Sequence, residues 1–244
     1  MDKLHLDQHI SQQFNQELED IRNRVLAMGG LVEQQVSNGL IALLENDGDL
    51  AEQVSRADYE VNAMEVEIDE ECIQVLARRA PTASDLRLIV AVIKAITDLE
   101  RIGDEAEKLG RFAAELSSSN QILEYRKELR HLGGLVRSML QDSLDCFARL
   151  DADAALKIAQ RDDDVNAEYE NLTRLLTTHL VEDPRRVTEI LKITWCARAL
   201  ERIGDHSVNI CEYVVYLVKG RDIRHTNIAA DNASGGSQND DAAT

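Results

Sequence analysis

Two carboxylates four residues apart occur twice in this chain, Glu100 with Asp104 and Glu201 with Asp205. On a helix, positions i and i+4 share a face, so each pair crowds like charges unless a cation lies between the oxygens. A glycine precedes each aspartate, Gly103 and Gly204, at a cost of about 1 kcal/mol relative to alanine inside a helix. Close approach of a neighbouring helix would account for both glycines. In the second copy Asn209 and Glu212 continue the carboxylate face. A second stripe of oxygen donors, Asp58, Asn62, Glu65 and Asp69, borders an apolar seam on the preceding segment and is expected to face the first pair. Carboxylates converging from facing helices are how bundles hold metal ions, and oxygen donors suit Mg²⁺, Mn²⁺, Ca²⁺ or iron. The same spacing also fits a solvated face, with Arg101 paired to Asp104 and Arg202 to Asp205 at i and i+3. The two copies are unequal: the first has Lys108, Arg111 and Glu65 where the second has Asn209, Glu212 and Tyr169. A site built on them would differ between copies.

The elements that carry these residues are themselves repeated. Leu99-Glu100-Arg101-Ile102-Gly103-Asp104 recurs as Leu200-Glu201-Arg202-Ile203-Gly204-Asp205, Gly29-Gly30-Leu31-Val32 as Gly133-Gly134-Leu135-Val136, and Val61-Asn62-Ala63 as Val165-Asn166-Ala167. The order is kept and the offsets are 101, 104 and 104 residues, so the chain is a tandem duplication. Apolar residues from Phe14 to Leu40 step by three and four and predict one long helix, closed by Asn46-Asp47-Gly48-Asp49. A second helix carries Val54 to Val75 and ends near Arg78-Arg79, before Pro81; a third runs from about Thr82 to Leu116. The second half repeats the plan over about 121–150, 152–181 and 184–219. Long helices joined by short loops run antiparallel. The expected fold is therefore all-α: two up-down three-helix bundles, six long helices in all. They would span 1–118 and 119–222, with a disordered tail over 223–244.

With 45 acidic against 27 basic side chains the net charge is −18, a surface that repels nucleic acid and anionic lipid. No stretch is apolar enough to span a membrane, and the N-terminus lacks the core of a signal peptide. A cytoplasmic protein, peripheral to membranes only through partners, is expected. Cys72, Cys146, Cys196 and Cys211 stand far apart among apolar neighbours and read as buried core thiols. A di-iron oxidase needs a Glu-x-x-His pair on each of two helices, and the sequence holds a single one, Glu128 with His131; nucleophile–base pairs and phosphate-cradling loops are missing, so no catalysis is expected. His206 follows Asp205 directly, which turns it about 100° away on the helix. Trp195 and Cys196 read as core; Tyr213 and Tyr216 read as core or as a partner contact.

At these residues the sequence resembles the PhoU family. The resemblance rests on the duplicated Glu-Arg-Ile-Gly-Asp, the paired Gly-Gly-Leu-Val, Glu182-Asp183-Pro184-Arg185, and Cys72-Ile73-Gln74-Val75-Leu76-Ala77-Arg78-Arg79-Ala80-Pro81 followed by Ser84-Asp85-Leu86-Arg87. It covers about residues 10–225. It implies two three-helix bundles, a homodimer, and metal clusters at Glu100, Asp104, Glu201 and Asp205, with Mg, Mn, Fe or Zn as possible ions. It further implies a negative regulator of the phosphate-starvation response and of phosphate uptake. Such a protein would connect the ATPase subunit of the phosphate transporter to the sensor histidine kinase. A metal-binding adaptor with another client, or a carboxylate-metal enzyme, is the alternative reading.

Overall fold

The computed structural model describes residues 3–79, 81–117 and 122–221, with side chains from residue 12 onward except those of 58, 122 and 123. The proposed junction at 118–119 and the tail over 223–244 lie outside the described residues. Among them all regular structure is helical: α1 Lys3–Glu45, α2 Gly48–Arg56, α3 Asp58–Arg78, α4 Ala83–Leu116, α5 Ile122–Arg149, α6 Ala152–Ala159, α7 Asp162–Glu182 and α8 Val187–Lys219, with a 3₁₀ turn, Pro184–Arg186, ahead of α8.

Six of these helices are the long ones that apolar spacing predicts, but the middle helix of each half is in two pieces. Val54 and Val61 keep a helical spacing across the break, and no glycine or proline marks it. The break is tertiary in origin. Ala57 closes α2 with an N–H bond back to Val54, and its carbonyl accepts the Gln35 side-chain amide at 3.0 Å. That leaves α2 free to lie against α4 at Gly110, where an added Cβ would sit 2.9 Å from the Ala51 carbonyl oxygen and 3.1 Å from the Ser55 nitrogen. Both contacts are backbone and cannot rotate away. Gly110→Ala is therefore expected to displace α2 and cost about 1–3 kcal/mol, read as a lower midpoint in chemical denaturation.

Local signals set the ends. Asp47 and Asp151 cap α2 and α6, accepting the N–H of Leu50 at 3.0 Å and of Ala154 at 2.9 Å. The Asp85 carboxylate accepts from the N–H and hydroxyl of Thr82 and so opens α4. Gly220, at φ 67°, ends α8 in a left-handed cap.

The repeated Gly-Gly-Leu-Val is a packing device. Its first glycine in each half receives a leucine from the other. A Cβ on Gly29 would lie 2.7 Å from Leu144 Cδ2, and one on Gly133 would clash with Leu40. α1 and α5 thus cross antiparallel and close. The second inter-half contact joins α4 to α8. As positions rise along α4, their partners fall along α8: Asp98 meets Tyr213, Glu105 meets Arg202, and Phe112 stacks on Trp195 with ring centroids 5.1 Å apart. One continuous core runs through both halves, from Ile21, Met28 and Val36 through Ile96 and Leu99 to Leu200, Ile210 and Val214.

Candidate functional site

α8 carries Glu201 and Asp205 toward the start of α7, and α7 adds a third carboxylate there, Asp162. The approach is set by Gly204: a Cβ at that position would lie 3.2 Å from Val165 Cγ1 and 3.7 Å from Asp162 Oδ1. Burial pushes the Glu201 carboxyl above its ordinary range, and the charges of Asp205 and Asp162 push it further. Asp162 is raised by burial and by Asp205. Asp205 is raised by the packing around it despite Arg198, His206 and Arg202 nearby. Arg198 takes one oxygen of Glu201 at 2.7 Å, and Asn166 takes one oxygen of Asp162 at 2.7 Å. The other oxygens, Glu201 Oε2 and Asp162 Oδ1, are buried without a hydrogen-bond partner. A buried acceptor left in this state costs about 1–3 kcal/mol. Among the described residues no three His, Cys, Asp or Glu side chains already form a metal-holding group. The cluster therefore supplies negative charge and free oxygens, but no closed coordination shell. That donor set fits a hard divalent cation or iron, held by Glu201, Asp205 and Asp162, which would neutralise their mutual repulsion.

The first half is built differently. Glu100 and Asp104 are half-buried on α4. Lys108 is engaged by Glu105 at 3.0 Å and Arg111 by Glu107 at 3.6 Å. On α3, Glu65 accepts the Thr97 hydroxyl of α4 at 3.5 Å and so faces that helix, while Asn62 and Asp69 are half-buried. The side chain of Asp58 lies outside the described residues. In the second half the pair equivalent to Thr97 and Glu65 is Arg198 over the ring of Tyr169, 5.8 Å from its centroid.

Arginine pairing within the motifs is not what forms. Arg202 reaches Glu105 across the seam at 2.8 Å, and Arg101 lies 3.9 Å from Asp98. Asn209 leaves the carboxylate face as well: its amide donates to Asp98 at 3.1 Å. Glu212, two turns beyond Asp205, stands beside Cys211. Trp195 is not core but 47 % exposed, one face on Phe112, while Cys196 beside it is fully buried. Tyr213 is buried, and Tyr216 lies under the Lys94 ammonium, 5.5 Å from its ring centroid. All four cysteines are free and buried, and burial pushes the Cys72 thiol up to about 12.

A second polar cluster joins the halves. Asp98, buried on α4, accepts from His206 Nδ1 at 2.8 Å, Asn209 at 3.1 Å and the Tyr213 hydroxyl at 2.6 Å, all on α8. Burial alone would raise its carboxyl, but these bonds outweigh it and hold the group below its ordinary range. Asp98 and Glu201 are thus opposites. Both are buried, but one is satisfied by donors and the other is crowded by like charge. A crowded, incompletely paired carboxylate cluster marks a functional site better than a satisfied one.

No helix among the described residues is long and apolar enough to cross a membrane. A family model described as "PhoU domain" matches residues 25–113 and again 129–214. The phosphate-specific transport system accessory protein PhoU homolog of Pseudomonas aeruginosa is 53 % identical over 220 residues, 90 % of this chain and 91 % of that protein. The phosphate-specific transport system accessory protein PhoU of Escherichia coli is 49 % identical over 225 residues, 92 % of this chain and 93 % of that protein. The crystal structure of PhoU from Pseudomonas aeruginosa superposes with a TM-score of 0.83 at 52 % identity, over 85 % of this chain and all of that one. The structure of the phosphate transport system regulatory protein PhoU from Streptococcus pneumoniae gives 0.79 at 31 %, over 86 % and 98 %.

Proposed function

Because the chain belongs to the PhoU family, we propose that it is an accessory protein of a phosphate-specific transport system that restrains the phosphate-starvation response when phosphate is plentiful. It acts as a cytoplasmic, homodimeric, non-catalytic adaptor between the transporter's ATPase subunit and the sensor histidine kinase. The observation that carries this reading is identity near one half over about nine-tenths of the chain to relatives named as such accessory proteins. The buried, protonated thiols support a non-catalytic role, since a thiolate is what a cysteine nucleophile requires. The cluster of Glu201, Asp205 and Asp162, with Glu100 and Asp104 as its first-half counterpart, binds a hard divalent cation or iron.

In cells lacking this gene and grown in excess phosphate, alkaline phosphatase activity is expected to be high, and the intact gene should return it to low. Low activity without the gene would overturn the regulatory reading and leave a metal-binding adaptor with a different client.

A further inference from the structure

Tyr59, Val66 and Ile73 stand on the solvent side of α3, 75, 56 and 55 % exposed. With Ala63, Glu70 and Ala77, also exposed, they fill a run spaced four, three, four, three, four. This is the a/d spacing of a helix that packs against another helix along its whole length. The opposite face of α3, with Val61, Ile68, Cys72 and Val75, already meets the core, so this seam is a second apolar face.

The duplication supplies an internal control. The equivalent positions on α7 are Asp163, Ala167, Glu170, Arg174, Thr177 and Val181, exposed likewise but mostly polar. The repeat carries charge and hydroxyls at most of these positions, with Val181 its one large apolar residue, and a cavity of about 710 Å³ lies along them. On α3 three of the same six positions are large apolar residues, an exposed apolar stripe of the kind that marks an interaction surface. The flanks say what fits it. Glu60 and Glu67 border the seam on one side, Asp69 borders it on the other, and Glu70 sits within it. Arg24 of α1 pairs with Glu67, yet Glu67 stays 62 % exposed. Beside Gln74 a cavity of about 200 Å³ opens between α1 and α3, with Glu17, Asp20 and Glu71 on its rim and Arg78 at its end. A second copy of this face would set acid against acid, parallel or antiparallel. An anionic lipid surface meets the same repulsion.

We propose that the exposed face of α3 is a docking site for an amphipathic helix of another protein, apolar along its seam and bearing lysine or arginine on its flanks. The site is independent of the carboxylate cluster on α7 and α8, and of the regulatory reading.

The test uses the full chain and two synthetic helical peptides about three heptads long. They share a leucine and isoleucine seam; one has lysine and the other glutamate at the flanking positions. Fluorescence anisotropy should show binding of the lysine peptide only. Val66→Glu with Ile73→Glu should weaken it at least about tenfold although the face becomes more acidic. Glu60→Lys with Glu70→Lys should shift preference to the glutamate peptide. Should the double glutamate variant lose helicity, Ala63→Glu carries the test at the same seam. No binding by the wild type overturns the proposal, and so does equal binding by the seam variants, which means bare charge attraction. A wild-type dimer that the seam variants split into monomers overturns it as well, because a second copy is then the occupant.

Discussion

Replacing Asp98 by alanine is expected to cost about 3–5 kcal/mol, since each buried donor left without its acceptor costs about 1–3 kcal/mol. Three donors on α8, His206 Nδ1, the Asn209 amide and the Tyr213 hydroxyl, lose their shared acceptor at once. The place is deeply buried, with Asp98 only 2 % exposed, so water does not readily replace it. In a chain of this size that is a fall of roughly 10 °C in thermal midpoint. Asp98→Asn keeps an oxygen for His206 and Asn209 while turning a donor toward Tyr213, whose hydroxyl can accept instead. It should cost less, about 1–2 kcal/mol. The pH dependence has a definite sign. Asp98 titrates below its ordinary range when folded, so its contribution is fully present above the unfolded value of about 3.9 and is lost as pH falls through the lower folded value. An alanine variant lacks that acid-sensitive component. Thermal denaturation at neutral and acid pH reads both effects. An alanine variant within about 1 kcal/mol of wild type would show that the α4–α8 seam is held by its apolar contacts alone.

The two halves and their long helices were legible because duplication and three-four apolar spacing are properties of one chain segment at a time. The break at Ala57 was not, since the Gln35 amide and the backbone of α4 around Gly110 cause it from outside the segment. Asp98 was hidden for a related reason. Its partners lie more than a hundred residues away, and its repeat-equivalent is Ala199, so comparing the halves raises no flag. Trp195 and Cys196 read as core on the apolar side of the last helix, but neighbouring positions lie about 100° apart, and only Cys196 is buried. Asp162 is the one site residue whose signal was present and unused. Asp58 belongs to the oxygen-donor stripe, and the 104-residue offset that maps Asn62 to Asn166 also maps Asp58 to Asp162. That Glu201 and Asp205 share a face is legible from spacing, because i and i+4 fix it whatever the tertiary context, and the repeat of the motif draws notice to the pair.

Glu201→Gln with Asp205→Asn is expected to move two measurements in opposite directions. In the metal-free protein the wild-type cluster is unfavourable: burial raises Glu201, the charges of Asp205 and Asp162 raise it further, and Glu201 Oε2 and Asp162 Oδ1 are buried without partners. Neutral amides of the same shape remove two of the three charges, so the metal-free variant should melt at or above the wild-type temperature. With Mg²⁺, Mn²⁺ or Fe²⁺ added, the order reverses. An ion present at a hundred times its dissociation constant stabilises the folded state by about 2.7 kcal/mol, roughly 5–10 °C for a chain of this length. The variant should gain almost none of this. In chelator competition it should retain metal less well by more than the roughly 10–100-fold that outer-shell changes cost. Glu100→Gln with Asp104→Asn tests the first half separately, and its unlike neighbours Lys108 and Arg111 predict a different ion preference or occupancy. A plain structural lesion would lower stability with and without metal alike, so the crossing of the two melting orders is the diagnostic. If metal content is unchanged in Glu201→Gln with Asp205→Asn, the motif's remaining role is the close contact of Gly204 with Val165, and the carboxylates are not ligands.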